Sequence, residues 1–216
     1  MSRFFATFFL VILIVVWYAY ERAKSIKKAR ISSEKFWAKE AEANSTRKKS
    51  MADLTLITIP LDRLPITSTD DKKLGECQDF ITFLSEKDII NLTGISNTDL
   101  KLKYGAPNFP YLSECDQNFT DLVRTLNQWA ERLLELKRPE DARQVLEFAV
   151  SCRSDVSTTY QMLSSLYVQS KDSKKILELI KTAETLDTLL KENILANLEK
   201  AYIASGSGFD DIFTTP

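Results

Sequence analysis

Leu126-Asn-Gln-Trp129-Ala130-Glu-Arg-Leu133 and, 34 residues later, Tyr160-Gln-Met-Leu163-Ser164-Ser-Leu-Tyr167 decide how this chain folds. Both octets place apolar or small residues at the first, fourth, fifth and eighth positions, the spacing of one face of a helix. The same offset superimposes Ala142 on Ile176, Leu146 on Ile180 and Ala149 on Ala183. Between these pieces fall Arg138-Pro-Glu-Asp141 and Lys171-Asp-Ser173. Pro139 suits a first helical position, and acidic residues beside it suit a helix start. Each period is therefore a pair of helices joined by a short turn. Ala130 and Ser164 are small where the two backbones must approach closely. Asp155 and Asp187 are placed to cap the helix that follows each pair.

This pattern resembles the tetratricopeptide repeat, in which a W-x-x-L-G-x-x-Y helix precedes an A-x-x-x-F helix at a period of 34. The resemblance covers about 70 residues, 122–190, of the 216. Ser154 and Thr188 stand where that repeat usually closes on proline, and Ile176 is bulkier than Ala142. The resemblance implies an all-α fold, an α-solenoid of two repeats plus a capping helix, with a concave face built from the first helix of each unit. That face carries Arg124, Asn127, Glu131 and Glu135, then Gln161, Ser165 and Gln169, then Glu199. It implies a protein partner for them; the plainer account of each is a solvated polar position on an amphipathic helix. The Lys/Arg clamp with which some such repeats hold a C-terminal carboxylate is not in this pattern.

Two repeats expose too much core unless their ends are covered. A helix from Leu189 to Ala204, with Ile194, Leu198 and Ala201 inward, covers the far end. At the near end, Asp70 or Asp71 starts a helix running to about Ser85, with Leu74, Cys77, Ile81 and Leu84 on one stripe. Residues 91–111, rich in Gly, Asn, Pro and Thr, read as a long ordered loop. A short helix at 96–105 sits within that loop and ends on Gly105. Leu54-Thr-Leu-Ile-Thr-Ile59, closed by Pro60 and Pro65, is a β-type run with no strand to pair with. It is expected as an extended segment laid across helices, either completing their core, the favoured alternative, or occupying the concave groove.

Phe4 to Tyr20 is 17 residues without a charge. As a helix it spans about 25 Å, near the lower limit for a hydrocarbon core of roughly 30 Å. Phe4, Phe5, Phe8, Phe9, Leu10, Ile12, Leu13 and Ile14 supply the apolar surface, and Trp17 and Tyr18 the headgroup-level rings. No small-residue cleavage site follows at once, so the stretch reads as an uncleaved single-pass anchor. From Glu21 to Lys49 there are ten Lys/Arg against four Glu, which places the rest of the chain on the cytoplasmic side of the cell membrane. This basic stretch also suits contact with an anionic bilayer surface. Residues 50–216 are acidic, with 18 Lys/Arg against 26 Asp/Glu. The divisions expected are an anchor at 1–20, a basic helical stalk and linker at 21–50 and a capping region at 51–115. Repeats with their capping helix follow at 116–204, and a flexible tail at 205–216.

The chain has no histidine, which removes the commonest general base and metal ligand. Its five glycines form no phosphate-cradling loop. Cys77, Cys115 and Cys152 are widely spaced and odd in number, and read as free thiols in a reducing compartment. Asn44, Asn91 and Asn118 begin Asn-x-Thr patterns that matter only on a secretory side. The expectation is a membrane-tethered protein-interaction module without catalysis, cofactor, metal, nucleic acid or small-molecule substrate. The alternative is a structural or assembly subunit of a membrane complex held by its transmembrane helix. Ala6, Thr7 and Ala19 make no small-xxx-small pair that would favour it.

Overall fold

Eight α-helices and two short 3-10 turns, with no strand among the described residues, make up the computed structural model. It describes residues 2–206, with side chains from Ile14 onward, Val15 excepted. The all-α expectation holds. The chain divides into two units, one of residues 1–50 and 96–109 and one of residues 51–95 and 110–216.

The first unit is built on α1, Ser2–Ser45. Among the described residues no helix is long and apolar enough to cross a membrane. The stretch read as an anchor falls largely outside them: Phe4, Phe5, Phe8, Phe9, Leu10, Ile12 and Leu13 have no described side chain. Ile14, Trp17 and Tyr18 are exposed. From Tyr18 to Lys39 every side chain is exposed, including the Phe36–Trp37 pair, edge to face at 5.3 Å. Among the described residues of α1, the last turns are the covered ones, against α3 (Asn97–Tyr104).

Polar contacts fix that pairing. Lys39 bonds Asp99 at 2.7 Å, and Glu40 takes Lys101 at 2.7 Å and Thr98 at 2.6 Å. The Asn44 carboxamide oxygen also accepts from Lys101, at 2.8 Å. Ser96 caps α3, its hydroxyl accepting from the Asp99 N–H. Gly105 ends the helix at φ 92°, and a Cβ there would lie 2.2 Å from the Arg47 carbonyl oxygen. Two chain segments cross at that point with no room for a side chain. Residues 96–109 thus fold with the N-terminal helix, whereas the sequence pattern groups them with the repeats.

The second unit holds α2 (Lys72–Leu84), α4 (Phe109–Glu135) from Pro110 onward, α5 (Pro139–Ser151), α6 (Ser157–Gln169), α7 (Ser173–Glu184) and α8 (Lys191–Ala204). α4 begins at Phe109 rather than Asp116. Pro110 lies in its first turn, where a missing N–H breaks no helical bond. All fourteen positions paired by the 34-residue offset are buried, with Trp129, Leu133, Leu146 and Ala183 fully so. Each buried leucine contributes about 1.5–3 kcal/mol relative to exposure. Helix ends repeat at the same offset. Lys137 (φ 58°) and Lys171 (φ 55°) both adopt the left-handed conformation. The next residue's N–H closes back on Leu133 in one case and Tyr167 in the other, at 2.9 Å.

The caps are only partly as expected. Asp71 caps α2 by accepting from the Leu74 N–H, and Asp172 caps α7 by accepting from Lys175. Asp155 and Asp187 cap nothing, a correction to the sequence reading. Neither α6 nor α8 has a side-chain cap; the Ser154 and Thr188 hydroxyls accept the N–H groups of Val156 and Leu190, the residues just before each helix. Asp71 also receives the Arg132 guanidinium, Nε at 3.1 Å, which ties α2 to α4. That hydrogen bond, with the one from Leu74, holds the Asp71 carboxyl down to about 2. At the far end α8 buries Ile194, Leu198 and Tyr202, while Ala201 is only half-buried.

The Leu54–Pro65 segment pairs with no strand; besides local turn bonds, its backbone reaches a distant segment through the Ile57 N–H, which donates to the Ile89 carbonyl at 2.8 Å. A 3-10 turn follows at Leu61–Arg63. Ile59 and Leu64 are buried in the same core as Trp129, and Ile57 packs against it. Leu56, 50% exposed, faces away. The segment completes the core.

Candidate functional site

A groove of about 700 Å³ opens along α4. Its floor is an α4 stripe at helical spacing: Asp116, Phe119, Val123, Asn127 and Glu131. One wall is the chain from Leu92 to Ile95, and the other is the start of α6 with Asp155, Val156 and Met162. The wall at 92–95 is held in place from both sides. Asn91 donates its amide to the carbonyls of Cys152 and Arg153, each at 3.1 Å, and its oxygen accepts the Thr93 N–H at 3.0 Å. Gly94 sits at φ 85°, and a Cβ there would lie 2.8 Å from the Asp187 carboxylate. Asp187, read from the sequence as a cap, is instead the neighbour that requires this glycine.

Three of the residues expected on a binding face line this groove: Arg124, Asn127 and Glu131. Asn127 is committed to structure. Its amide donates to the Val123 carbonyl at 2.8 Å and its oxygen accepts from Thr159 at 2.9 Å, which joins α4 to α6. The buried Ser154 hydroxyl continues that network, and the Tyr160 hydroxyl donates to the Ser154 carbonyl at 2.8 Å. Gln161, Ser165 and Gln169 are exposed on α6 but outside the groove lining, and Glu199 is half-buried on α8. Glu135 lies in a second groove of about 730 Å³ between α2 and α4, shared with Lys73, Cys77, Phe80 and Arg132.

Electrostatics distinguish the first groove. Arg124 is drawn to Asp121 at 3.5 Å. Among the described residues, Asp116, Glu131 and Asp155 have no ion-pair partner. Burial raises the Asp116 carboxyl above its ordinary value, opposed by the Leu92 N–H and reinforced by the charge of Asp155.

Sequence reasoning misses Asp116, Asp155 and the 92–95 wall. Asp116 shares a helical stripe with Phe119, Val123 and Asn127, so that signal is present in the sequence. The wall carries none, because its place depends on Asn91 reaching residues some sixty positions away. The thiols are quiet: Cys115 and Cys152 are buried, Cys77 half-buried, and burial pushes Cys152 up to about 11. Among the described residues no cluster of three or more acidic or cysteine side chains is set to hold a metal. The chain matches no protein-family model, no curated protein and no solved structure.

Proposed function

We propose that this chain is a membrane-anchored protein-interaction module whose binding surface is the groove along α4. The helices flanking it are read as two tetratricopeptide-like repeats with α8 as their cap. The observation that carries the reading is the groove itself, lined by the first helix of each 34-residue unit, with apolar and polar side chains interleaved and its wall pinned by Asn91 and Gly94. Support for the anchor comes from the uncharged stretch Phe4–Tyr20 and the ten Lys/Arg that follow it. Under this reading α1 is the anchor and its stalk, and the acidic second unit faces the cytoplasm.

Two measurements on intact cells test it. A photo-crosslinking residue at Gln128, exposed in the groove, is expected to form a discrete protein adduct, and one at exposed Lys181 is not. Adducts equal at both positions, or absent from both, refute the binding surface. For topology, a Ser165→Cys chain adds one exposed thiol to two buried ones and the half-buried Cys77. Impermeant maleimide should label it only after lysis. Labelling of whole cells refutes the cytoplasmic placement.

A further inference from the structure

Three carboxylates and no free cation line the α4 groove. Asp116 and Asp155 stand on facing elements, the floor and the α6 wall, and Glu131 lies further along the floor. The lone arginine of the lining is taken by Asp121. Between the acids apolar and polar side chains alternate: Leu92, Phe119 and Val123 are buried beneath the surface, Ile95, Val156 and Met162 border it, and Thr120 and Gln128 are exposed on it. Asp116 is itself half-buried, and its proton affinity is raised by that burial and by Asp155. Two carboxylates in one partly desolvated mouth repel each other, and a cation set between them relieves both the repulsion and the burial. A groove whose one cation is paired to Asp121 receives the charge between Asp116 and Asp155 from whatever binds.

We infer that the groove takes a cationic amphipathic peptide segment, which lays apolar side chains on Ile95, Val156 and Met162 and sets a Lys or Arg between Asp116 and Asp155. This rests on the protein-binding reading above and adds to it the chemistry of the partner. An acidic segment meets like charge at three points. A wholly apolar one leaves Asp116 and Asp155 buried against hydrocarbon, which is costly for charged groups.

The full chain in detergent micelles provides the test. The probe is a labelled synthetic helix-forming peptide of leucine, alanine and lysine with lysine on one face. Its counterpart carries glutamate at every lysine position. Binding is read by fluorescence anisotropy above that of empty micelles. The lysine peptide is expected to bind, and the glutamate peptide at least tenfold more weakly. Asp116→Asn with Asp155→Asn should weaken the lysine peptide about tenfold or more while leaving the helical circular dichroism intact. Thr120→Lys, an exposed lining position that brings a cation into the groove without touching the core, should weaken it comparably. Equal affinity for the two peptides, or an affinity unmoved by both variants, overturns the inference. If the Gln128 crosslinker captures a cellular protein while the lysine peptide fails to bind, this inference falls and the protein-binding reading stands. If both fail, the reading falls too.

Discussion

Trp129 is the largest side chain fully buried in the second unit, and its indole N–H has no hydrogen-bond partner there. Two opposing consequences meet at that one residue. Truncation empties a large volume in the core that also holds Leu126, Leu133 and Leu146, so Trp129→Ala should cost about 3–5 kcal/mol. Trp129→Phe leaves a smaller void and removes a buried donor that water would otherwise satisfy, so its cost should be about 1–2 kcal/mol. A urea titration of the full chain, followed by far-ultraviolet circular dichroism, measures both. A loss under 1 kcal/mol for the alanine variant would place Trp129 outside the core that the 34-residue offset predicts. Gln78 presents the same problem in milder form: its oxygen accepts the Thr67 N–H at 3.1 Å, while its buried amide nitrogen is unpaired. A polar group has been admitted to the α2 stripe because half of it is satisfied, a substitution that no hydrophobic pattern announces.

At the scale of elements, helix ends carry strain that the sequence does not advertise. Lys137, Arg153 and Lys171 occupy left-handed backbone where glycine is the usual choice. That conformation costs a side-chain-bearing residue about 1–2 kcal/mol. Lys171→Gly should therefore stabilise the second unit by about 0.5–1 kcal/mol, the remainder being offset by the freer unfolded chain. A higher urea midpoint is the expected result; a lower one means that the Lys171 side chain contributes something its exposure does not suggest. Legibility follows the same line. The helices paired by the 34-residue offset, a start at Asp70 or Asp71 and the Gly105 stop are written locally, in spacing and in turn chemistry, and all can be read. The start of α4 is obscured because Pro110 looks like a breaker when it is a first-turn residue. Asp155 and Asp187 are obscured because an acidic residue just before a helix has the same local pattern whether it caps the helix or faces a distant segment. The pairing of α3 with α1 rests on ion pairs about sixty residues apart, which no periodicity encodes.

For the whole molecule, the 34-residue offset is a statement about junctions as well as about cores. Lys137 and Lys171 end their helices with the same backbone sign and the same closing bond. A block running from residue 138 to residue 171 therefore begins and ends on matching geometry. Inserted once more after Lys171, it would join without a new kind of turn. Stacked helical pairs gain stability from each neighbour they touch. The lengthened chain should then unfold in one cooperative step at a higher urea midpoint and with more helix. Separate transitions would show that the two units are alike in outline and not interchangeable. If the insertion succeeds, the positive-φ turn is a seam as well as a helix terminator. It sets the increment by which this molecule can grow, and with it the length of helical surface it presents.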